Sequence, residues 1–483
     1  CIVAPGFIDI HSHTDELIFL NPTCESKVTQ GVTTEVCGNC GSSAAPRGGC
    51  QELGEYYCFL EQLGLEQGWS TTSEFLSMLE RVPIAVNFAT LVGHGTVRAV
   101  AMGFKSVKPS QRELAVMQEL VSEAMEAGAL GMSSGLAYAP GCYADTEELI
   151  FLCRTVAKYK GIYATHIRDE GKGLIDAVAE AIRIGRDAGI SVQISHHKAC
   201  GRRSWGRVKD SLHLIDTARE NGLDVWADQY PYEATSTSLH SILPNWVHEG
   251  GKAEFLARLQ NPTSRSALRT YLIDEAEKGR IWDYGGWRSI RISSVKHEKN
   301  RFCEGLSIEQ IARVVSKHPA DVILDLLLEE EGDVGMVCFV ISEKDVAQVI
   351  SHPAVLIGSD ATARATTGSL SLGKPHPRAY GTFPRVLKKY VRQNQILSLE
   401  EAIANMSGHT AKRLGLKTRG LVREGYYADL VVFDAERICD TATFEEPHRY
   451  AQGINYVFVN GMAVVEDGRL ISSQKHLPGR VLR

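Results

Sequence analysis

The chain has 483 residues, 44% hydrophobic and 23% charged, with a formal net charge of −6, ordinary values for a globular protein long enough for more than one folding unit. Its lysines and arginines form no stripe along a helix face and are not interleaved with aromatics, which argues against a nucleic-acid partner. No apolar run reaches the roughly 18 residues of a membrane span, so no membrane partner is expected.

Twelve cysteines are scattered through the chain. Cys153 in EELIFLCRTV and Cys338 in GMVCFV lie in apolar runs, as reduced core thiols do, and point to a cytoplasmic, reducing setting. The chain opens at Cys1 inside an apolar run with no signal peptide in view, and the start reads as truncated.

Short apolar runs that end in polar residues alternate with helical patterns, as in parallel β/α units. The strands expected in chain order are GFIDI (6–10), VTTEV (32–36), AVNFATLVG (85–93), ALGMSS (129–134), IYATH (162–166), SVQISH (191–196), LDVWADQ (223–229) and AVLIGSD (354–360). Between them, SQRELAVMQELVSEAMEAG reads as a helix: Ser110 and Glu113 make a capping box, Leu114, Met117, Val121 and Met125 form an apolar stripe, and Gly128 ends it. LIDAVAEAIRIGRDAG repeats the pattern. Eight such strands with crossover helices predict an α/β fold, a (β/α)8 TIM-like barrel whose site lies at the C-terminal strand ends.

The seventh and eighth strands are too far apart for a simple connection. The stretch at about 235–350 is read as an insertion leaning over the barrel mouth, with helical patterns in GKAEFLARLQ and SALRTYLIDEAEKG and a strand at IRISSV. The barrel is expected over 1–412, closing with the helix SLEEAIANMSGHTAKRLG. Residues 413–483, with GLVREGYYADLVVFD, YVFVNGMAVVEDG and GRLISS, read as a small β domain, incomplete because its partner strands would precede Cys1.

The chemistry gathers at the strand ends. The first strand runs into His11-Ser12-His13, and residues two apart on a strand share a face, so both imidazoles can point at one metal ion. The fifth ends at His166, the sixth at His196 and His197, and the eighth at Asp360. Four strand ends supplying histidine or aspartate suit a metal-assisted hydrolase. Earlier, TTEVCGNCGSS (33–43) sets Cys37 and Cys40 in a C-x-x-C spacing. A redox pair is disfavoured because GSSAAPRGG reads as a loop and not as a helix start, and a structural zinc clamp lacks a second ligand pair.

Taken together, PGFIDIHSHTD, GNCGSSAAP, GHGTVR, GALGMSSGLAYAPG, ATHIRDE, ISHHK, DQYPY, IGSDA, HPRAYGTFPRVL and GLVREGYYADLVVFD resemble the amidohydrolase superfamily. Within it they resemble the N-acyl-D-amino-acid deacylases, or D-aminoacylases, over nearly the whole chain and in the family's order. GNCG, ISHHK and HPR-x-x-GTFPR are the motifs most specific to that branch.

The resemblance implies zinc-dependent hydrolysis of the amide bond of small-molecule N-acyl-D-amino acids. It implies Cys40, His166 and His196 on a tightly bound Zn2+, and His11, His13 and Asp360 on a second, weaker position that shares Cys40. Many amidohydrolases bridge two metals with a carboxylated lysine from the fourth strand. Here that strand has none, and a soft, anionic thiolate can take its place. Cys37 matches no ligand and is expected to be a buried thiol.

Asp360 is the expected proton acceptor from the attacking water. The resemblance also implies Lys198, Arg378 and Tyr138 as substrate-binding groups, the two cations suiting a free α-carboxylate. Tyr230 and Tyr232 are candidates to line the same pocket, and Arg98 and Asp228 are read as structural. Two other readings stand beside this one: a cyclic-amide hydrolase of the dihydroorotase or hydantoinase kind, and a non-catalytic barrel used as a scaffold.

Overall fold

In a computed structural model of the chain, which describes residues 1–47, 68–471 and 477–483, all eight expected strands form. They are Phe7–Asp9, Val32–Cys37, Asn87–Thr90 continued by Val92–Gly93, Gly131–Gly135, Ile162–His166, Ser191–Ile194, Val225–Gln229 and Val355–Ile357. Each pairs in parallel with its neighbours in chain order. One parallel bridge, Ser12 to Ala361, joins the first strand end to the eighth and completes the ring. Ile8, Ile10, Val36, Ala89, Leu91, Ala164 and Leu356 come from the first, second, third, fifth and eighth strands yet form one buried cluster. Side chains from such distant strands meet only across the axis, so the ring is a filled core, each large aliphatic contributing about 1.5–3 kcal/mol.

The helices follow their local chemistry. Gln111–Ala127 begins with the reciprocal Ser110–Glu113 box and ends at Gly128, whose φ of 108° suits a residue without Cβ. Met117, Val121 and Met125 are buried, Leu114 only partly. One expected helix is broken in two. The run after Ser398 forms Leu399–Met406 and Gly408–Arg413, with Ser407 out of helical range at φ −145° and ψ −81°. Its hydroxyl donates to the Ile403 carbonyl at 2.6 Å, and glycine follows, two features that bend helices.

Between the seventh and eighth strands, Ala234–Ser238, Gly335–Phe339 and Ile290–Ser294 make a three-stranded antiparallel sheet with the Gly335–Phe339 strand in the middle. Lys252–Gln260, Pro262–Glu277 and Pro319–Glu329 are among its helices. A separate five-stranded sheet runs Ile2–Pro5, Leu430–Phe433, Ile454–Val459, Met462–Glu466, Arg469–Leu470. It draws on both ends of the chain: Ile2–Pro5, placed with the barrel by the sequence pattern, lies antiparallel on Leu430–Phe433. Of GLVREGYYADLVVFD only Leu430–Phe433 is strand, and residues 472–473 of the expected tail lie outside the described residues. No helix among the described residues is long and apolar enough to cross a membrane.

Candidate metal centre

The ring gathers its polar residues at the C-terminal strand ends. His11 follows the first strand, Cys40 lies three residues beyond the second, His166 closes the fifth, His196 follows the sixth and Asp360 the eighth. One ligand atom each from His11, Cys40, His196 and Asp360 lies within 4.8 Å of the others. Cys40, His196 and Asp360 have φ of 54°, 36° and 51°. That left-handed region costs a side-chain-bearing residue roughly 1–2 kcal/mol, and three such residues meeting at one point are typical of a functional site.

Cys40 Sγ is 3.3 Å from His11 Nε2 and 3.4 Å from His196 Nε2. His13 Nε2 is 3.0 Å from Asp360 Oδ1. Burial opposes ionisation of the Cys40 thiol, but His11 and His196 beside the sulfur outweigh it and hold the thiol well below its usual range. Asp360 behaves alike: burial pushes it up, while Arg378, His196, His11 and His13 bring it well below the carboxylate range. His13 shows the reverse. Burial lowers it, yet Asp360 and Cys40 raise it to about 9.

The cluster thus combines two anions with imidazoles, a charge balance that a divalent cation satisfies in place of protons. Nitrogen, sulfur and oxygen donors together suit zinc. His166 Nδ1 is buried and, among the described residues, has no hydrogen-bond partner. These residues fit the group.

The donor atoms fall into two groups by proximity. His166 clusters with Glu170 and His196, not with Cys40, and the four-donor set takes Cys40 and His196 together with His11 and Asp360. His196 is common to both groups, its ring centroid 4.4 Å from that of His166 and 5.0 Å from that of His11. His197 turns away, its Nε2 2.8 Å from the Ser211 hydroxyl. Cys37 is fully buried in the second strand, and burial pushes its thiol up. The two cysteines of C-x-x-C therefore have opposite surroundings. The loop after Cys40 is described as far as Arg47.

Carboxylates behind the cluster orient the rings. Asp228 Oδ1 is 3.0 Å from His11 Nδ1 and accepts from the His196 backbone N–H at 2.8 Å, while Oδ2 accepts from Gln193 Nε2 at 2.9 Å. This leaves His11 Nε2 facing Cys40, so Asp228 is structural in a specific sense: it fixes two donors. Glu170, which the sequence reading did not single out, stands 3.0 Å from His196 Nδ1. The only signal in the sequence was its place four residues after His166 in ATHIRDE.

The three expected substrate-binding residues stand at the rim of this centre. Arg378, on the first residue of the helix Arg378–Arg385, has NH1 2.7 Å from Asp360 Oδ2 and lies over the Tyr230 ring at 4.6 Å. Its NH2 donates to the Ser236 carbonyl at 3.3 Å. Lys198 is buried and donates to Glu170 and, at 2.8 Å, to the His196 carbonyl. Its ammonium therefore lies on a carboxylate of the protein instead of lying open. The Tyr138 hydroxyl accepts from Thr237 Oγ1 at 3.2 Å, and its ring stands edge-on to His166. Ser236 and Thr237 belong to the inserted sheet, which thus reaches the mouth of the ring. Tyr230 faces the same space, but Tyr232 does not: it lies edge-on to His376 and under Arg385. Arg98 is buried against Glu148.

A donor cluster of this kind at the C-terminal ends of a parallel ring defines a metal-dependent hydrolase of the amidohydrolase type. The family profile described as "Amidohydrolase family" matches residues 338–465. A D-aminoacylase of Alcaligenes xylosoxydans xylosoxydans is 36% identical over 96% of this chain and 84% of its own length. An N-acyl-D-glutamate deacylase of the same organism is 35% identical over 100% of this chain and 86% of its own. The crystal structure of the N-acyl-D-glutamate deacylase of Bordetella bronchiseptica, complexed with zinc and a phosphonate mimic of the tetrahedral intermediate, superposes with a TM-score of 0.81 at 33% identity, over 100% of this chain and 89% of that one. The chain belongs to the amidohydrolase family, among the D-aminoacylases.

Proposed function

We propose that this protein hydrolyses the amide bond of N-acyl-D-amino acids, releasing a carboxylate and a free D-amino acid, at a zinc centre built on a (β/α)8 barrel. The observation that carries the reading is the thiolate: Cys40 sits between His11 and His196, and the fourth strand, GMSSG, offers no lysine to bridge metals.

Cys40, His166 and His196 would hold one ion tightly, with a position left for water, and His11, His13 and Asp360 would hold a second, weaker ion that shares Cys40. Zinc in such a site supplies an acidified water and polarises a carbonyl. The chain's own residues do the rest. Asp360 accepts the proton of the attacking water and passes it to the departing amine nitrogen. Arg378, whose guanidinium can grip a carboxylate with two hydrogen bonds, binds the α-carboxylate of the substrate and in doing so releases Asp360 from its ion pair. Lys198 and Glu170 hold the His196 ring, and Tyr138 closes one side of the mouth.

The D-aminoacylase and the N-acyl-D-glutamate deacylase are 36% and 35% identical to this chain, so the substrate side chain is left open. Comparing turnover of N-acetyl-D-methionine, its L-isomer and a hydantoin tests the reading. Cleavage of the D-isomer is expected, and activity on the hydantoin alone would replace it with a cyclic-amide hydrolase.

A further inference from the structure

A lysine with no solvent access lies directly beneath the metal ligands. Lys27, on the short helix Glu25–Val28, is 0% exposed, as are Asp9 and Glu35 beside it. Its ammonium reaches Asp9 Oδ2 at 2.7 Å, the Ala361 carbonyl at 2.7 Å, Ser359 Oγ at 2.9 Å, Glu35 Oε1 at 2.9 Å and Ser12 Oγ at 3.1 Å. Glu35 Oε1 also accepts from Ser12 and Thr14 hydroxyls at 2.7 and 2.8 Å. Asp9 Oδ1 accepts from the Ser359 N–H at 2.8 Å.

The positions of these partners matter more than their number. Asp9 and Ser12 bracket His11, and Ser359 and Ala361 bracket Asp360. Lys27 therefore grips both sides of one ligand on the first strand end and both sides of another on the eighth. This is also where the ring's backbone pairing is thinnest. The fourth and fifth strands share a ladder of five residue pairs, whereas the first and eighth share the single Ser12–Ala361 bridge. Only two backbone hydrogen bonds flank it, Asp360 N–H to the His11 carbonyl at 2.7 Å and His13 N–H to the Ala361 carbonyl at 3.3 Å. Burying a cation with two carboxylates carries a desolvation cost that an apolar filling of the same space would avoid.

We propose that Lys27 is a positioning residue of the metal centre, setting the gap across which His11 and His13 on one strand end share an ion with Asp360 on the other. The inference rests on the zinc site proposed above. An arginine does not replace it, because a planar guanidinium cannot direct its protons toward acceptors distributed around a point.

The test uses full-length protein as wild type, Lys27→Met, Lys27→Arg and the double variant Lys27→Met/Glu35→Gln. The double variant removes one positive and one negative charge, so the buried net charge is unchanged if the single variant fails to fold. Zinc affinity by competition with a chromogenic chelator, urea unfolding of the zinc-free protein, and kcat and KM are measured on each. The expected result is a folded double variant and a folded Lys27→Arg that bind zinc about 10–100-fold more weakly, with the loss in turnover falling on kcat and not on KM.

Wild-type zinc affinity and kcat in a folded Lys27 variant would overturn the proposal. So would failure of every variant to fold, because Lys27 would then serve the ring as a whole. Wild-type protein that binds zinc but leaves all N-acyl-D-amino acids intact would remove the proposed activity and leave the zinc-affinity comparison standing.

Discussion

Arg378 NH1 rests 2.7 Å from Asp360 Oδ2, so the cation suited to the substrate's carboxylate and the carboxylate suited to take the water's proton are paired with each other. Arg378→Met is expected to raise KM and lower kcat/KM by about 10–100-fold, the range of a charged hydrogen bond worth about 1.5–3 kcal/mol. Arg378→Lys should recover only part of this, since a point charge does not reproduce a two-pronged contact. Steady-state kinetics on an N-acetyl-D-amino acid check it, and an unchanged KM in Arg378→Met would take the residue out of substrate binding.

Asp360→Asn keeps a donor oxygen but cannot take a proton. Turnover should drop by about 100-fold or more while zinc content, measured by plasma emission, stays near the wild-type value. Wild-type rates would place the base elsewhere.

The two cysteines of TTEVCGNCGSS can be separated. Cys40→Ala should lose zinc and activity together. Cys37→Ala, fully buried in the second strand, should retain both and lose about 1 kcal/mol of unfolding free energy. Equal effects on zinc would mean that the pair acts as a unit.

Glu170→Gln leaves the His196 ring without its carboxylate and Lys198 without its counter-ion. Zinc affinity is expected to fall about 10–100-fold. A chelator titration that superposes on the wild type would show that Lys198 alone suffices to hold the ring.

Glu148 is buried between Arg98 and His94, with His94 Nε2 at 2.8 Å. Burial pushes its carboxyl up, but these two partners more than reverse the effect and leave it below its ordinary value. The folded state therefore binds the proton less readily than the unfolded one. The stabilisation is fully present above the unfolded carboxyl's range near 4.5 and is lost as pH falls through the lowered folded value. Glu148→Gln should cost about 3 kcal/mol at pH 7, and the gap to wild type in urea unfolding should narrow as pH drops below about 4.5. A gap independent of pH would remove the charge from the explanation.

The strand ends were legible because parallel strands write short apolar runs and the residue just after each run has few places to go. His11, His13, His166, His196 and Asp360 are readable this way, whereas Cys40 came from the resemblance of GNCG to the D-aminoacylases. What escaped was side-chain direction across the ring. Nothing in ATHIRDE says that Glu170 turns back onto His196, nor that Lys198, a natural carboxylate clamp by type, would be taken up by it. The same holds for Lys27, a lone lysine in TCESKVTQ whose partners lie in three separate strand ends. The nearness of Glu170 to both His166 and His196 likewise depends on ring geometry and leaves no trace in spacing. Ser407 shows the local version of the problem: periodicity ran through it, and one hydroxyl bonded back to a carbonyl bent the helix.

His13 and Asp360 touch across 347 residues of sequence, and this orders events during synthesis. Cys40 leaves the ribosome early, His166 and His196 follow, and the donor set stays incomplete until residue 360 has emerged and the first strand end has met the eighth. Contacts of such long sequence separation form late, and metal capture is coupled to them. On the proposed zinc centre, loading of the ion is thereby tied to completion of the ring, and a nascent chain interrupted before its eighth strand carries the Cys40 thiol without the complete proposed donor set.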